Sequence, residues 1–120
     1  MRQELGALPL LLAGTADQKQ RWFPDLAAGR KLIAFALTEA EAGSDVAAIR
    51  TRATRTDDGY LIEGAKRFIS QGDFADLVTV FAVTDPEAGR HRNRACVMVQ
   101  KGTPGCRSPR VEHKMGIRGA

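Results

Sequence analysis

Two short stretches of this chain hold the residue types best suited to gripping a ligand. Thr38-Glu39-Ala40-Glu41-Ala42-Gly43-Ser44-Asp45 brings hydroxyls, small residues and a glycine directly after an apolar run. Ser70-Gln71-Gly72 repeats the combination on a smaller scale. Small residues let the backbone come close to a ligand, and exposed N–H groups in such turns suit anions or carbonyl oxygens. One flat polar ligand held between the two loops is the chemistry they suggest. Glu39 and Glu41 alternate as a carboxylate pair would, but acidic residues in a polar loop read as solvated.

The other reactive side chains point to less. His91 and His113 lie far apart, with no companions at metal-ligand spacing. Cys96 and Cys106 have neither metal nor redox-pair spacing, and Cys96 alternates within an apolar pattern like a small buried hydrophobe. Reduced thiols are expected. Arg90-His91-Arg92-Asn93-Arg94 is a basic run with no aromatic residue to stack on a base, so it reads as a solvated loop. Neither GxGxxG nor GxxxxGK[ST] occurs.

The elements that must position the two loops follow from the hydrophobic pattern. Gln3 to Leu12 reads as a helix, and Gly14 ends it. Thr15 with Gln18 three positions on is a capping-box signature for a second helix over Ala16 to Ala28. Trp22, Phe23 and Leu26 mark its apolar side, Pro24 should restart or kink it, and Gly29 suits its C-terminal cap. Leu32 to Leu37 then reads as a buried strand. Arg50 to Thr56 and Tyr60 to Ile62 form a hairpin about Asp58-Gly59, and Lys66 to Ser70, Leu77 to Thr84 and Ala95 to Gln100 read as further strands. Helices followed by short strands imply a mainly β domain, a compact sandwich or barrel.

Composition sets the frame. The 120 residues are 43% hydrophobic and 27% charged, which suits one globular domain or a piece of a larger protein. A net charge of +4 falls short of a nucleic-acid footprint, so no nucleic-acid partner is expected. No apolar run approaches the ~20 residues that cross a bilayer, and Met1-Arg2-Gln3-Glu4 does not open a secretory leader. No membrane insertion and a cytoplasmic location are the expectations.

Four stretches together resemble the flavin-dependent acyl-CoA dehydrogenases. Phe35-Ala36-Leu37-Thr38-Glu39-Ala40-Glu41-Ala42-Gly43-Ser44-Asp45 is similar to the family's first signature, and Gly64-Ala65-Lys66-Arg67-Phe68-Ile69-Ser70-Gln71-Gly72 to its second. Lys101-Gly102-Thr103-Pro104-Gly105 and Lys114-Met115-Gly116-Ile117-Arg118-Gly119 resemble two later landmarks, while Gly14-Thr15 and Gln18 to Pro24 resemble the lead-in to the middle domain. The resemblance implies that residues 1–30 end an N-terminal helical domain. Residues 31–120 would then be a middle β domain of barrel or sandwich type, incomplete at its C-terminal end.

The implied reaction is α,β-desaturation of an acyl-CoA thioester, with hydride passing to flavin N5. FAD is the implied cofactor, an electron-accepting flavoprotein the implied partner, and a homotetramer the implied assembly. By resemblance, Phe35, Ala36, Leu37, Thr38, Gly43 and Ser44 bind the flavin, with Thr38 on its pyrimidine side and Ser44 also touching the acyl-CoA. Phe68, Ile69 and Ser70 form the second flavin segment, whose hydroxyl reaches N5. Ser70 stands where the family commonly has Thr, Gln71 where it has Asn, and Ala40 where it has Pro. No carboxylate here matches the family's catalytic base, which lies in a C-terminal bundle, so the catalytic residue is expected elsewhere in a longer enzyme. Two other classes compete: a stand-alone, non-catalytic module binding a nucleotide or CoA, and a small basic nucleic-acid-binding domain.

Overall fold

Helices α1 (Gln3–Ala13) and α2 (Ala16–Ala27) open the chain, and local signals set their ends. The Gln18 N–H donates to Thr15 Oγ1 at 3.2 Å while the Thr15 N–H donates to Gln18 Oε1 at 2.9 Å, so the capping box is closed both ways. At the far end Gly29 takes φ +69°, and the Arg30 N–H donates to Asp25 O at 2.9 Å, closing a Schellman-type cap. Arg30 and Lys31 also pair with the Asp25 carboxylate at 2.7 and 3.1 Å. Pro24 does not interrupt α2. Burial of Trp22 and Leu26 on either side of it holds the helix straight through, and the carbonyl it leaves without a donor, that of Gln20, belongs to an exposed residue.

The computed structural model describes residues 3–116. Met1 and Arg2, and the Ile117-Arg118-Gly119 part of the last landmark, lie outside the described residues. Five strands form one sheet: β1 (Ile33–Ala36), β2 (Arg52–Thr56), β3 (Gly59–Glu63), β4 (Leu77–Val83) and β5 (Arg94–Gln100). The mainly β architecture expected from the sequence is present, with the helices preceding it.

Leu10, Trp22 and Leu26 from the helices bury against Ile33 and Leu77 of the sheet, each worth about 1.5–3 kcal/mol as apolar surface removed from water. Helix α1 lies directly on β1, since a Cβ on Gly6 would come within 2.8 Å of Ile33 O. The fully buried Thr79 hydroxyl ties the layers together, reaching Ala34 O at 3.0 Å and Gly6 O at 3.3 Å.

The register of the sheet creates the site. Strand β5 pairs antiparallel along the whole of β4, from Leu77↔Gln100 to Val83↔Arg94. On the other edge of β4, β1 runs parallel only from Ile33↔Leu77 to Ala36↔Val80. Strand β2 takes over that edge at Arg52↔Val83. The chain between leaves the edge at Leu37 and returns at Thr51, whose carbonyl accepts from the Val83 N–H at 2.7 Å. The end of β1 and the start of β2 thus follow one another along the same edge of β4.

Three local expectations shift. The hairpin turns on Asp57-Asp58 and not on Asp58-Gly59, because Thr56 pairs with Gly59, which opens β3 at φ +152°. Lys66 to Ser70 is not a strand: Phe68 sits at φ +57° in the left-handed region, which breaks the extended ladder. The basic run coils into a one-turn helix, α3 (Gly89–Arg92), and is no simple loop. No described helix is long and apolar enough to cross a membrane.

Candidate functional site

The segment after β3 enters at Gly64, against the start of β2. Gly64 takes φ +153°, and a Cβ there would stand 2.4 Å from Thr51 Oγ1 and 2.8 Å from Thr51 Cα. Only glycine lets the chain pass this close to the start of β2. Beyond it the Arg67 N–H donates to Thr38 O at 2.8 Å, which joins the two loops that the sequence left 29 positions apart at Lys66 and Leu37.

Glu39 anchors this junction and corrects the expectation of a solvated carboxylate. It is 9% exposed and accepts four hydrogen bonds. The Arg50 N–H donates to its Oε2 at 2.7 Å. The Thr51 N–H (3.0 Å), the Thr51 hydroxyl (2.5 Å) and Lys66 Nζ (2.8 Å) all converge on Oε1. Lys66 Nζ also donates to Leu37 O at 3.0 Å. Burial pushes the Glu39 carboxyl up, but the Lys66 ammonium, the Thr51 hydroxyl and the two backbone N–H groups outweigh it and hold it at about 2. Its backbone closes a tight turn with Ala42, through mutual N–H···O bonds of 3.0 and 3.2 Å.

The second loop is built differently. Phe68 and Gln71 are the non-glycine residues at positive φ among those described, +57° and +64°. Such strain gathers where a ligand must be met. Phe68 is exposed, with the Arg67 guanidinium 4.7 Å from its ring centre. The turn closes through the Gly72 N–H to Ile69 O at 3.2 Å and the Ala75 N–H to Gln71 O at 2.9 Å. Gln71 Oε1 is buried with no hydrogen-bond partner among the described residues.

The structure brings together only part of the expected set. Leu37 and Thr38 meet the segment leading into Phe68, Ile69 and Ser70. Phe35 and Ala36 lie within β1. The Phe35 ring packs on Phe81 with centres 5.1 Å apart, and the Ala36 side chain is buried. Gly43 and Ser44 are exposed on the far side of the Glu39–Ala42 turn, and no described hydrogen bond joins them to Thr38. Beside them Asp45 caps the 3-10 turn Val46–Ala48 through the Ala47 N–H at 3.2 Å and pairs with Arg90 at 2.5 Å. Sequence reasoning gave Glu39 and Lys66 no role. Nothing in their sequence neighbourhoods, Thr38-Glu39-Ala40-Glu41 and Ala65-Lys66-Arg67, marks them apart from solvated charges.

Cys96, expected as a buried hydrophobe, is only half-buried. Both thiols are free; Cys106 is exposed, while burial pushes the half-buried Cys96 thiol up to about 11.

Known proteins are similar to this chain in sequence and share this fold. Residues 34–120 match the family described as acyl-CoA dehydrogenase, middle domain. The chain belongs to the acyl-CoA dehydrogenase family. An acyl-CoA dehydrogenase of Bacillus subtilis (strain 168) is 42% identical over 116 residues, covering 97% of this chain and 30% of the relative. The three-dimensional structure of butyryl-CoA dehydrogenase from Megasphaera elsdenii superposes with a TM-score of 0.90 at 41% identity, covering 98% of this chain and 31% of that one. The FAD complex of PigA matches with a TM-score of 0.79 at 32% identity, over 84% of this chain and 26% of that one. The chain spans between 19% and 30% of the length of these curated relatives.

Proposed function

We propose that this chain is the flavin-facing part of an FAD-dependent acyl-CoA dehydrogenase, an oxidoreductase that desaturates acyl-CoA thioesters. The observation that carries the reading is the Arg67 N–H···O=C bond to Thr38, which sets the two family signatures side by side at the strand ends. The residues present suit a flavin. Thr38 supplies a half-buried hydroxyl, and Phe68 offers an exposed aromatic ring on the second loop. The buried side-chain Oε1 of Gln71, without a hydrogen-bond partner among the described residues, adds a polar atom on the residue after Ser70.

FAD supplies the hydride acceptor of the desaturation. In this reading Thr38 holds the pyrimidine side of the ring and Ser70 donates toward N5, while Leu37, Ile69 and Phe68 line the ring. Phe35 and Ala36 contribute through the strand that aims Thr38, and Gly43 and Ser44 border the acyl-CoA. None of these residues removes the substrate α-proton; that base belongs to another part of the enzyme. We assign residues 1–30 to the end of a helical domain and 31–120 to the middle domain. A cytoplasmic homotetramer that passes electrons to a flavoprotein completes the proposal.

Ser70 provides the test. Loss of one hydrogen bond to N5 removes about 0.5–1.5 kcal/mol, so Ser70→Ala in the intact enzyme should slow flavin reduction roughly threefold to tenfold in stopped flow. Ser70→Thr, the commoner family residue, should reduce at the wild-type rate. Unchanged reduction in Ser70→Ala would remove Ser70 from N5.

A further inference from the structure

Nothing in regular secondary structure holds the second loop in place. From Gly64 to Ala75 it has no strand ladder, and it carries both strained non-glycine residues. Its described polar ties to the first loop are three: the Arg67 N–H to Thr38 O, Lys66 Nζ to Leu37 O, and Lys66 Nζ to Glu39 Oε1. Two of the three come from one ammonium, and they grip the residues immediately before and after Thr38. The Glu39 carboxylate passes the grip on to Arg50 and Thr51 at the start of β2. One buried pair therefore joins the end of β1, the start of β2 and the root of the second loop.

We propose that Lys66 and Glu39 are positioning residues that fix the spacing between Thr38 and the Phe68–Ser70 turn before a ligand arrives. The inference rests on the flavin reading for the identity of that ligand, but the spacing itself is a property of the free chain. The physical argument is pre-organisation. A loop released from its anchor populates many conformers, and apparent affinity falls by the fraction that remains competent. A buried pair also carries a purely structural duty, since either charge left alone is costly. The two duties separate when both charges are removed together, because neutral groups of similar size carry no unpaired charge.

The experiment compares wild type with Lys66→Met and with the double variant Glu39→Gln/Lys66→Met, using the full chain. Lys66→Met alone should lower the melting temperature, and the double variant should recover most of that loss. Hydrogen exchange in FAD-free protein should nevertheless stay at least about tenfold faster over residues 65–72 of the double variant, with β4 and β5 amides unchanged. Its affinity for FAD, read from flavin fluorescence, should fall about tenfold. Wild-type exchange over 65–72 together with wild-type FAD affinity in the recovered double variant would overturn the proposal. A wild-type chain that fails to bind FAD at all would instead count against the flavin reading, and the exchange comparison would still decide the role of the pair.

Discussion

Two ion pairs flank the first loop, and they differ in almost everything but distance. Glu39 and Lys66 meet at 2.8 Å with both side chains 9% exposed. Asp45 and Arg90 meet at 2.5 Å with side chains 57% and 61% exposed. The shorter pair stands in water, where screening and side-chain entropy cancel most of the attraction. The longer one has lost its water and must be satisfied by what surrounds it, which for Glu39 means two N–H groups and a hydroxyl besides the ammonium. Burial, and not separation, decides which pair organises the site.

The largest expected effect breaks the buried member. Glu39→Ala leaves the Lys66 ammonium with Leu37 O as its one described partner and should destabilise the protein by about 3–5 kcal/mol, read as a shift in the denaturant midpoint. A shift below about 1 kcal/mol would place the two pairs in one class. Acid should separate them next. The Glu39 carboxyl lies at about 2 in the folded protein against an ordinary 4.5, so folding gains stability from its charge above pH 4.5. That gain is lost as pH falls from 4.5 toward 2. Glu39→Gln should flatten this part of a stability-against-pH curve relative to wild type. An unchanged acid slope would mean that the carboxylate is not held by its partners. The smallest effect belongs to the exposed pair: Arg90→Ala should cost at most about 1 kcal/mol and vanish in concentrated salt. A loss that persists in salt would show that Arg90 does more than pair with Asp45.

Features decided within a few residues were legible in the chain itself. The Thr15–Gln18 box, the Gly29 cap and the short apolar run of β1 each rest on contacts or propensities that span one turn or one strand. The hairpin was legible too, though its turn moved by one residue, since Asp57, Asp58 and Gly59 all suit a tight turn and pairing with Thr56 chose among them. The family signatures located the two loops. Their residue types marked Thr38 and Ser70 without showing that they adjoin.

What the chain alone could not express is anything whose partner lies far along it. Lys66 to Ser70 has the composition of a strand, and only the Arg67–Thr38 bond and the left-handed Phe68 make it an unladdered loop. Gly64 shows no special need until Thr51 packs against it. Glu39 looks like any acid in a polar loop until residues 11, 12 and 27 positions away close over it. Local propensity determined the helices, the caps and the strands that carry the site. The meeting of β1, β2 and the second loop was decided by tertiary structure, because desolvating a charge and satisfying it require groups that only folding brings together.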